Sequence, residues 1–290
     1  MSDQRTSANR RRGAILITGA SSGIGRAAAT WLAGRGWLVF ATVRKPEDHD
    51  NLAALGMSTL IPMRFDLNRR DDLPELASRV ADELKRYGAP GLFALINNAG
   101  GSVVAPVELM DLERFGREVD ARLVGALALV QAFLPSIRRA AGRILWIATP
   151  GLIPTPYVTG IHACDFAVNC IARTLALELG AAGPPVVLIR CGGIRTRAGM
   201  STNEDLAAGI AGAAPERRAL YAEKLESWSR SMNDFDTHRS DPERVAGVIE
   251  RALSASRPRK RYRVGHMSGA AAFLEALPQP LADRILGSRF

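Results

Sequence analysis

Short apolar runs alternate with longer stretches of mixed polarity from about residue 13 to residue 265. Ala14-Ile15-Leu16-Ile17 is apolar on both faces and too short for a helix, so it reads as a buried strand. Thr18-Gly19-Ala20-Ser21-Ser22-Gly23-Ile24-Gly25 interrupts it, and an amphipathic stretch over 26–33 follows: strand, glycine-rich turn, helix start. Further strands are expected at 37–42, 59–65, 92–96, 143–148, 185–190 and 262–264. Helical spacing appears at 71–87, with Leu73, Leu76, Val80 and Leu84 on one face, and at 113–139, 158–179 and 242–253. The last of these takes Ser240 or Asp241 as its cap. The 113–139 stretch is especially apolar over 123–134, which requires cover on most sides, by the sheet with or without a second subunit. Strands alternating with helices predict an α/β fold in one domain, a doubly wound parallel sheet with helices on both faces. Residues 195–235 turn polar and broken, with one amphipathic piece at 217–228, and read as a lid over a substrate pocket. Residues 266–290 read as a C-terminal tail, apolar from 273 onward.

Size fits this picture, because 290 residues make one large α/β domain and are short for two. The net charge of +9 is concentrated near the ends, in Arg10-Arg11-Arg12 and over 257–263. No basic run interleaved with aromatics lies between them, so the charge is read as solubility and attraction of anionic ligands, not nucleic-acid binding. Cys164, Cys170 and Cys191 lack metal-ligand or CxxC spacing; reduced thiols in a cytoplasm and no metal site are expected. No uninterrupted apolar run approaches the ~18–20 residues of a membrane span. Residues 1–12 are polar and basic and read as a disordered tail.

The candidate chemistry begins at the glycine-rich turn. Glycines allow a tight turn and close approach of a ligand, and free N–H groups in the first helical turn favour a pyrophosphate. Arg44-Lys45 follow the second strand at the end that faces the ligand crevice of an open parallel sheet. A basic pair there suits the 2′-phosphate of NADP better than the 2′-hydroxyl of NAD, with Arg44 the better phosphate ligand. The plain alternative is a solvated loop charge.

With these residues the chain resembles the short-chain dehydrogenase/reductase superfamily over about 13–265. The resemblance is carried by Thr18 through Gly25, Asp66-Leu67, Asn97-Asn98-Ala99-Gly100, Leu134-Pro135, and Gly192-Gly193-Ile194-Arg195-Thr196. The stretch from Ser240-Asp241-Pro242-Glu243 through Arg261-Tyr262-Arg263-Val264-Gly265 to Leu277-Pro278 looks like the retinol- and hydroxysteroid-dehydrogenase branch. The resemblance implies a Rossmann-type fold and an NADP-dependent oxidoreductase of a small or medium hydrophobic metabolite. It places Gly19, Ser21, Ser22, Gly23, Ile24 and Gly25 at the phosphates and Asp66 and Leu67 at the adenine. Asn98, Ala99 and Gly100 would line the ribose, and Ile194 and Thr196 the nicotinamide. It also implies a homodimer or tetramer paired through the two long helices.

Relatives of this kind use Asn, Ser and a Tyr-x-x-x-Lys pair. The Tyr exchanges a proton with the substrate oxygen, the Lys holds the ribose and lowers the Tyr pKa, the Ser orients the carbonyl, and the Asn anchors a relay water. The matching segment here reads Ile161-His162-Ala163-Cys164-Asp165-Phe166-Ala167, with Ile161 for the acid and Asp165 for the cation. No Tyr-x-x-x-Lys exists elsewhere, since Gly91, Ile161, Leu225 and His266 stand four after the tyrosines. The serine position falls at Ala148 or Thr149, and the asparagine position at Arg122. Candidate groups are therefore Thr149, Tyr157, His162 and Asp165. Tyr157 either swings its hydroxyl into the pocket or packs under the lid; His162 is either a proton-transfer group or a satisfied structural histidine. Arg122 and Asp165 would form a salt bridge if both point into the old site. Three functions follow: an NADP(H) oxidoreductase with a rebuilt site, a non-redox enzyme for dehydration, cyclisation or isomerisation, or a silent subunit of a hetero-oligomer with an active relative.

Overall fold

In a computed structural model, which describes residues 12–101, 103–196 and 202–287, the apolar runs form seven strands. These are β1 (Ala14–Ile17), β2 (Leu38–Val43), β3 (Leu60–Arg64), β4 (Leu92–Asn97), β5 (Arg143–Ala148), β6 (Val186–Cys191) and β7 (Arg261–Val264). They pair in parallel, in the order β3-β2-β1-β4-β5-β6-β7. The register runs Ile15 opposite Val39 and Ala94, and Ile144 opposite Val186. Strands this apolar belong inside, because a parallel sheet is covered on both faces. Alternate residues of β1 divide accordingly. Ile15 and Ile17 face α1 (Gly23–Ala33) and α10 (Pro242–Ser254), whereas Ala14 and Leu16 face the layer of α3 (Leu73–Arg86), α5 (Ala126–Arg139) and α6 (Thr159–Leu179). Each fully buried Ile or Leu in these layers stabilises the fold by about 2 kcal/mol.

The order of strands reverses between β1 and β4, and the ligand crevice of such sheets opens at the carboxyl ends of the strands there. Two departures from the expected elements matter near it. The expected helix 113–139 is α4 (Leu112–Val119), a π-helical turn Asp120–Gly125 and α5, in one unbroken run. That run is long and apolar enough, by length and composition alone, to cross a bilayer; here it packs against α3 and β4 as a sheet-covering helix. Its wider turn carries Arg122. The expected lid is mostly helical where described, with α7 (Thr202–Ile210), α8 (Pro215–Ala219) and α9 (Ala222–Thr237); residues 197–201 of it lie outside the described residues.

Three further helices were not expected. A polar helix α2 (Pro46–Ala53) follows Arg44-Lys45, with Pro46 in its first turn and only Leu52 buried. The tail 266–290 forms α11 (Ser268–Glu275) and α12 (Gln279–Gly287). The expected basic tail 1–12 lies outside the described residues except for Arg12, whose Nη1 meets Glu250 on α10 at 2.9 Å.

Candidate functional site

The glycine-rich turn is fastened to the loop after β4. The Thr18 hydroxyl accepts from the backbone N–H groups of Asn98 (3.0 Å) and Ala99 (2.9 Å). The Asn98 amide donates to the Thr18 carbonyl at 2.8 Å and the Gly19 carbonyl at 3.3 Å. Asn98, expected along a ribose, thus commits its amide hydrogens to holding the turn. A Cβ on Gly19 (φ 70°) would stand 2.8 Å from Ala99 Cα, and one on Gly23 (φ 53°) 2.8 Å from Thr196 Cβ. Only bare backbone makes this turn. Ser22 is the N-cap of α1 yet makes no side-chain cap bond, which leaves the first N–H groups of the helix for an anion. The cradle therefore fits the pyrophosphate of a dinucleotide.

Beyond the turn lies a cavity of about 870 Å³. Of the residues expected at a cofactor, Gly19, Ser21, Ser22, Gly23, Ile24, Gly25, Asn98, Ala99, Gly100, Ile194 and Thr196 line it. Arg44, Asp66 and Leu67 do not. Leu67 is in the core against Gly125, Asp66 Oδ1 accepts from the Asn68 N–H at 3.0 Å, and Arg44 is exposed at the end of β2 with no ion pair among the described residues.

The positions expected for the catalytic groups meet at one wall, where Arg122, Ala148, Thr149, Ile161 and Asp165 all face the cavity. Arg122 is the hub. Its Nη1 donates to Asp165 Oδ1 at 3.0 Å, its Nη2 to the Gly101 carbonyl at 3.0 Å, and its Nε to Glu118 Oε2 at 3.3 Å. Glu118 also accepts from the Gly101 N–H (2.7 Å), and Asp165 Oδ2 from the Thr149 N–H (2.8 Å). Asp165 is 3% exposed. Burial lowers the Arg122 pKa, but the charges of Asp165 and Glu118 outweigh it and the net shift is upward. The guanidinium stays charged, locked between the Asp165 and Glu118 side chains. The Arg122–Asp165 salt bridge was conditional in the sequence; Glu118, four residues before Arg122, was missed although its spacing announces the contact.

The other candidates divide. His162 lines the cavity, with Nδ1 3.0 Å from the Ile153 carbonyl oxygen and its ring stacked on Phe166. A carbonyl only accepts, so Nδ1 carries the hydrogen and Nε2 is a bare acceptor. Burial lowers the His162 pKa, against opposing pulls from Asp165 and the Ile153 carbonyl. Tyr157 (φ 68°) is not a lining residue. It meets Trp228 edge-on at 5.6 Å in a cluster with Val104, Leu206 and Leu225, so the packing alternative describes it. Burial raises its pKa. Burial likewise raises the thiols of Cys164, to about 11, and Cys191.

Three lining features escaped the sequence. Phe235 from α9 closes on Gly193, where a Cβ would come 2.7 Å from its ring. His266 after β7 lies against Phe235 (5.5 Å) and His238 (5.6 Å). Ala270, Ala271 and Leu274 of α11 and Leu286 of α12 form another wall. That wall is tied down by Arg190, 1% exposed on β6, which reaches Glu275 of α11 at 2.5 Å and Asn169 of α6 at 2.8 Å. The partners lie too far apart in sequence for any local pattern to announce them.

Comparison with known proteins adds four findings. The family model described as short chain dehydrogenase matches residues 13–207. A 3-amino-tetrahydro-pyrrolizinone reductase of Xenorhabdus hominickii is 30% identical over 88% of this chain and 87% of its own. The estradiol 17-beta-dehydrogenase 1 of Rattus norvegicus is 30% identical over 86% of this chain and 72% of its own. In fold, the chain is similar to a short chain dehydrogenase from Burkholderia cenocepacia J2315 in complex with NADP, with a TM-score of 0.71 over 94% of this chain and 97% of the other at 21% identity.

Proposed function

The chain belongs to the short-chain dehydrogenase family, and on that premise we propose that it is an NADP(H)-binding oxidoreductase with a rebuilt active site, acting on a small or medium hydrophobic metabolite. The observation that carries this reading is the pairing of an intact phosphate cradle with a catalytic wall that has no phenol and no ammonium. When bound, a nicotinamide dinucleotide supplies or takes hydride. Gly19, Ser22, Gly23 and Ile24 hold its pyrophosphate, and Ile194 and Thr196 stand at its far end. Arg44, exposed beyond β2 and outside the cavity lining, would meet a 2′-phosphate. Asp165 accepts from a ribose hydroxyl through a remaining lone pair, in place of an ammonium donor.

The side chains that face the substrate are mainly apolar: Val104, Ile147, Ile153, Val158, Ile161 and Met232. They exclude water and orient a hydrophobic molecule. Ile161 transfers no proton, so a proton-coupled reduction of an ordinary ketone at this wall is slow. The test is a fluorescence titration of the four tryptophans with NADPH and with NADH. Binding of NADPH about tenfold tighter than NADH, with the preference lost in Arg44→Ala, supports the reading; no binding of either cofactor rejects it.

A further inference from the structure

Ile161 leaves the wall without its expected acid, and the groups around it differ in what they can still do with a proton. Both oxygens of Asp165 are taken, Oδ1 by Arg122 and Oδ2 by the Thr149 N–H. The three nitrogens of Arg122 are engaged with Glu118, Asp165 and the Gly101 carbonyl, and a guanidinium accepts nothing. Thr149 offers a hydroxyl, which can orient a partner but is a poor base. Tyr157 and Cys164 do not line the cavity.

His162 is different. It follows Ile161 in the first turn of α6 and lines the cavity. The Ile153 carbonyl takes its Nδ1–H at 3.0 Å, and Phe166, one helical turn on, stacks against the ring at 6.3 Å. These two contacts fix the tautomer and the ring plane. The opposite nitrogen, Nε2, has no hydrogen-bond partner among the described residues. It is not among the polar atoms that the fold seals from solvent without a partner. A preset acceptor thus stands one residue from the position of the missing phenol. Burial keeps the resting ring neutral; Asp165 and the Ile153 carbonyl favour the imidazolium, and Arg122 opposes it. The other charged groups that line the cavity, Asp205 on α7, Arg230 and Asp234 on α9 and Arg239 after it, balance in sign.

We propose that His162 is a catalytic base, whose Nε2 takes the hydroxyl proton of a hydrophobic secondary alcohol as the alcohol is oxidised to a ketone. This deepens the reading above and rests on it, with oxidised NADP as the hydride acceptor. The O–H bond breaks, its proton passes to Nε2 and its electron pair becomes the second carbon–oxygen bond. The carbinol C–H bond breaks, and hydrogen and electron pair pass together to the nicotinamide. The alcohol is oxidised, the nicotinamide is reduced, and the imidazolium returns one proton to water. The Ile153 carbonyl holds Nδ1–H throughout, so Nε2 stays aimed. Reduction of a ketone needs a ring that is already protonated, which burial disfavours, so the site favours oxidation.

The experiment uses the full chain with NADP and two alcohols, α-tetralol and cyclohexanol, and follows the formation of NADPH. For the alcohol that is oxidised, kcat/KM should rise with pH to a plateau, with its midpoint below 6.5. Reduction of the matching ketone with NADPH should fall over the same range. His162→Gln keeps a donor to Ile153 but no base; it should lose the rise and lower kcat at least about 100-fold, with KM changed less than about threefold. Added imidazole should restore part of the rate to His162→Ala, which a purely structural histidine would not allow. Independently of turnover, nitrogen NMR of the cofactor-free chain, labelled at histidine, should show hydrogen on Nδ1 of His162 and none on Nε2 at pH 8. Hydrogen on Nε2, an unchanged kcat in His162→Gln, or loss of the rise in His266→Gln instead overturns the proposal. If the His162 variants do not fold, the tautomer and the pH profile of the unaltered chain still decide. Tryptophan fluorescence with NADP separates the failures: a chain that binds NADP but oxidises neither alcohol rejects the base, whereas one that binds no NADP rejects the oxidoreductase reading itself.

Discussion

Arg122 and Asp165 form a buried ion pair on which stability depends. Removing one partner of a buried ion pair strands the other, so Arg122→Ala should destabilise the fold by about 3–5 kcal/mol in urea unfolding. Replacing both at once, as Arg122→Leu/Asp165→Leu, should cost much less than twice that, because no charge is then left stranded. His162 gives a prediction in pH. Burial lowers its folded pKa below the unfolded value of 6.5, so the unfolded chain binds the extra proton between the two. The stability that neutral His162 supports is complete above 6.5 and is lost as pH falls toward the folded pKa. Urea midpoints taken from about pH 8 to pH 5 should therefore drop more steeply for the unaltered chain than for His162→Gln, which keeps a donor to Ile153 without titrating.

Among the elements, the C-terminal helices depend most on one distant contact. Glu275→Ala should leave Arg190 buried without its carboxylate, at a cost of about 3 kcal/mol, and expose residues 268–287 to proteolysis before the sheet unfolds. Digestion followed by mass measurement checks it. This dependence could not be read in advance, since Arg190 on β6 and Glu275 on α11 meet only in the folded chain. Strands β1, β2 and β4 were legible because runs of mostly buried apolar residues leave few alternatives. Helix α2 was not, because Pro46-Glu47-Asp48-His49-Asp50 has helix-start residues but no apolar face beyond Leu52. The π-helical turn at 120–125 was equally silent, as its composition does not differ from an ordinary turn of the same helix. At the site, the cradle was legible in the glycines, and the absence of a Tyr-x-x-x-Lys pair in the positions of the four tyrosines. The role of Thr18 as the clasp between turn and loop was not, because nothing in the spacing shows where a buried hydroxyl points.

The whole molecule carries a net charge of +9, which attracts an anionic dinucleotide from a distance. The association rate of NADPH in stopped flow should therefore fall severalfold between about 20 mM and 500 mM salt, with a much smaller change in the dissociation rate. Leu286 on α12, well beyond the last strand β7, still lines the cavity. A chain shortened before α12 would consequently open that wall of the cavity.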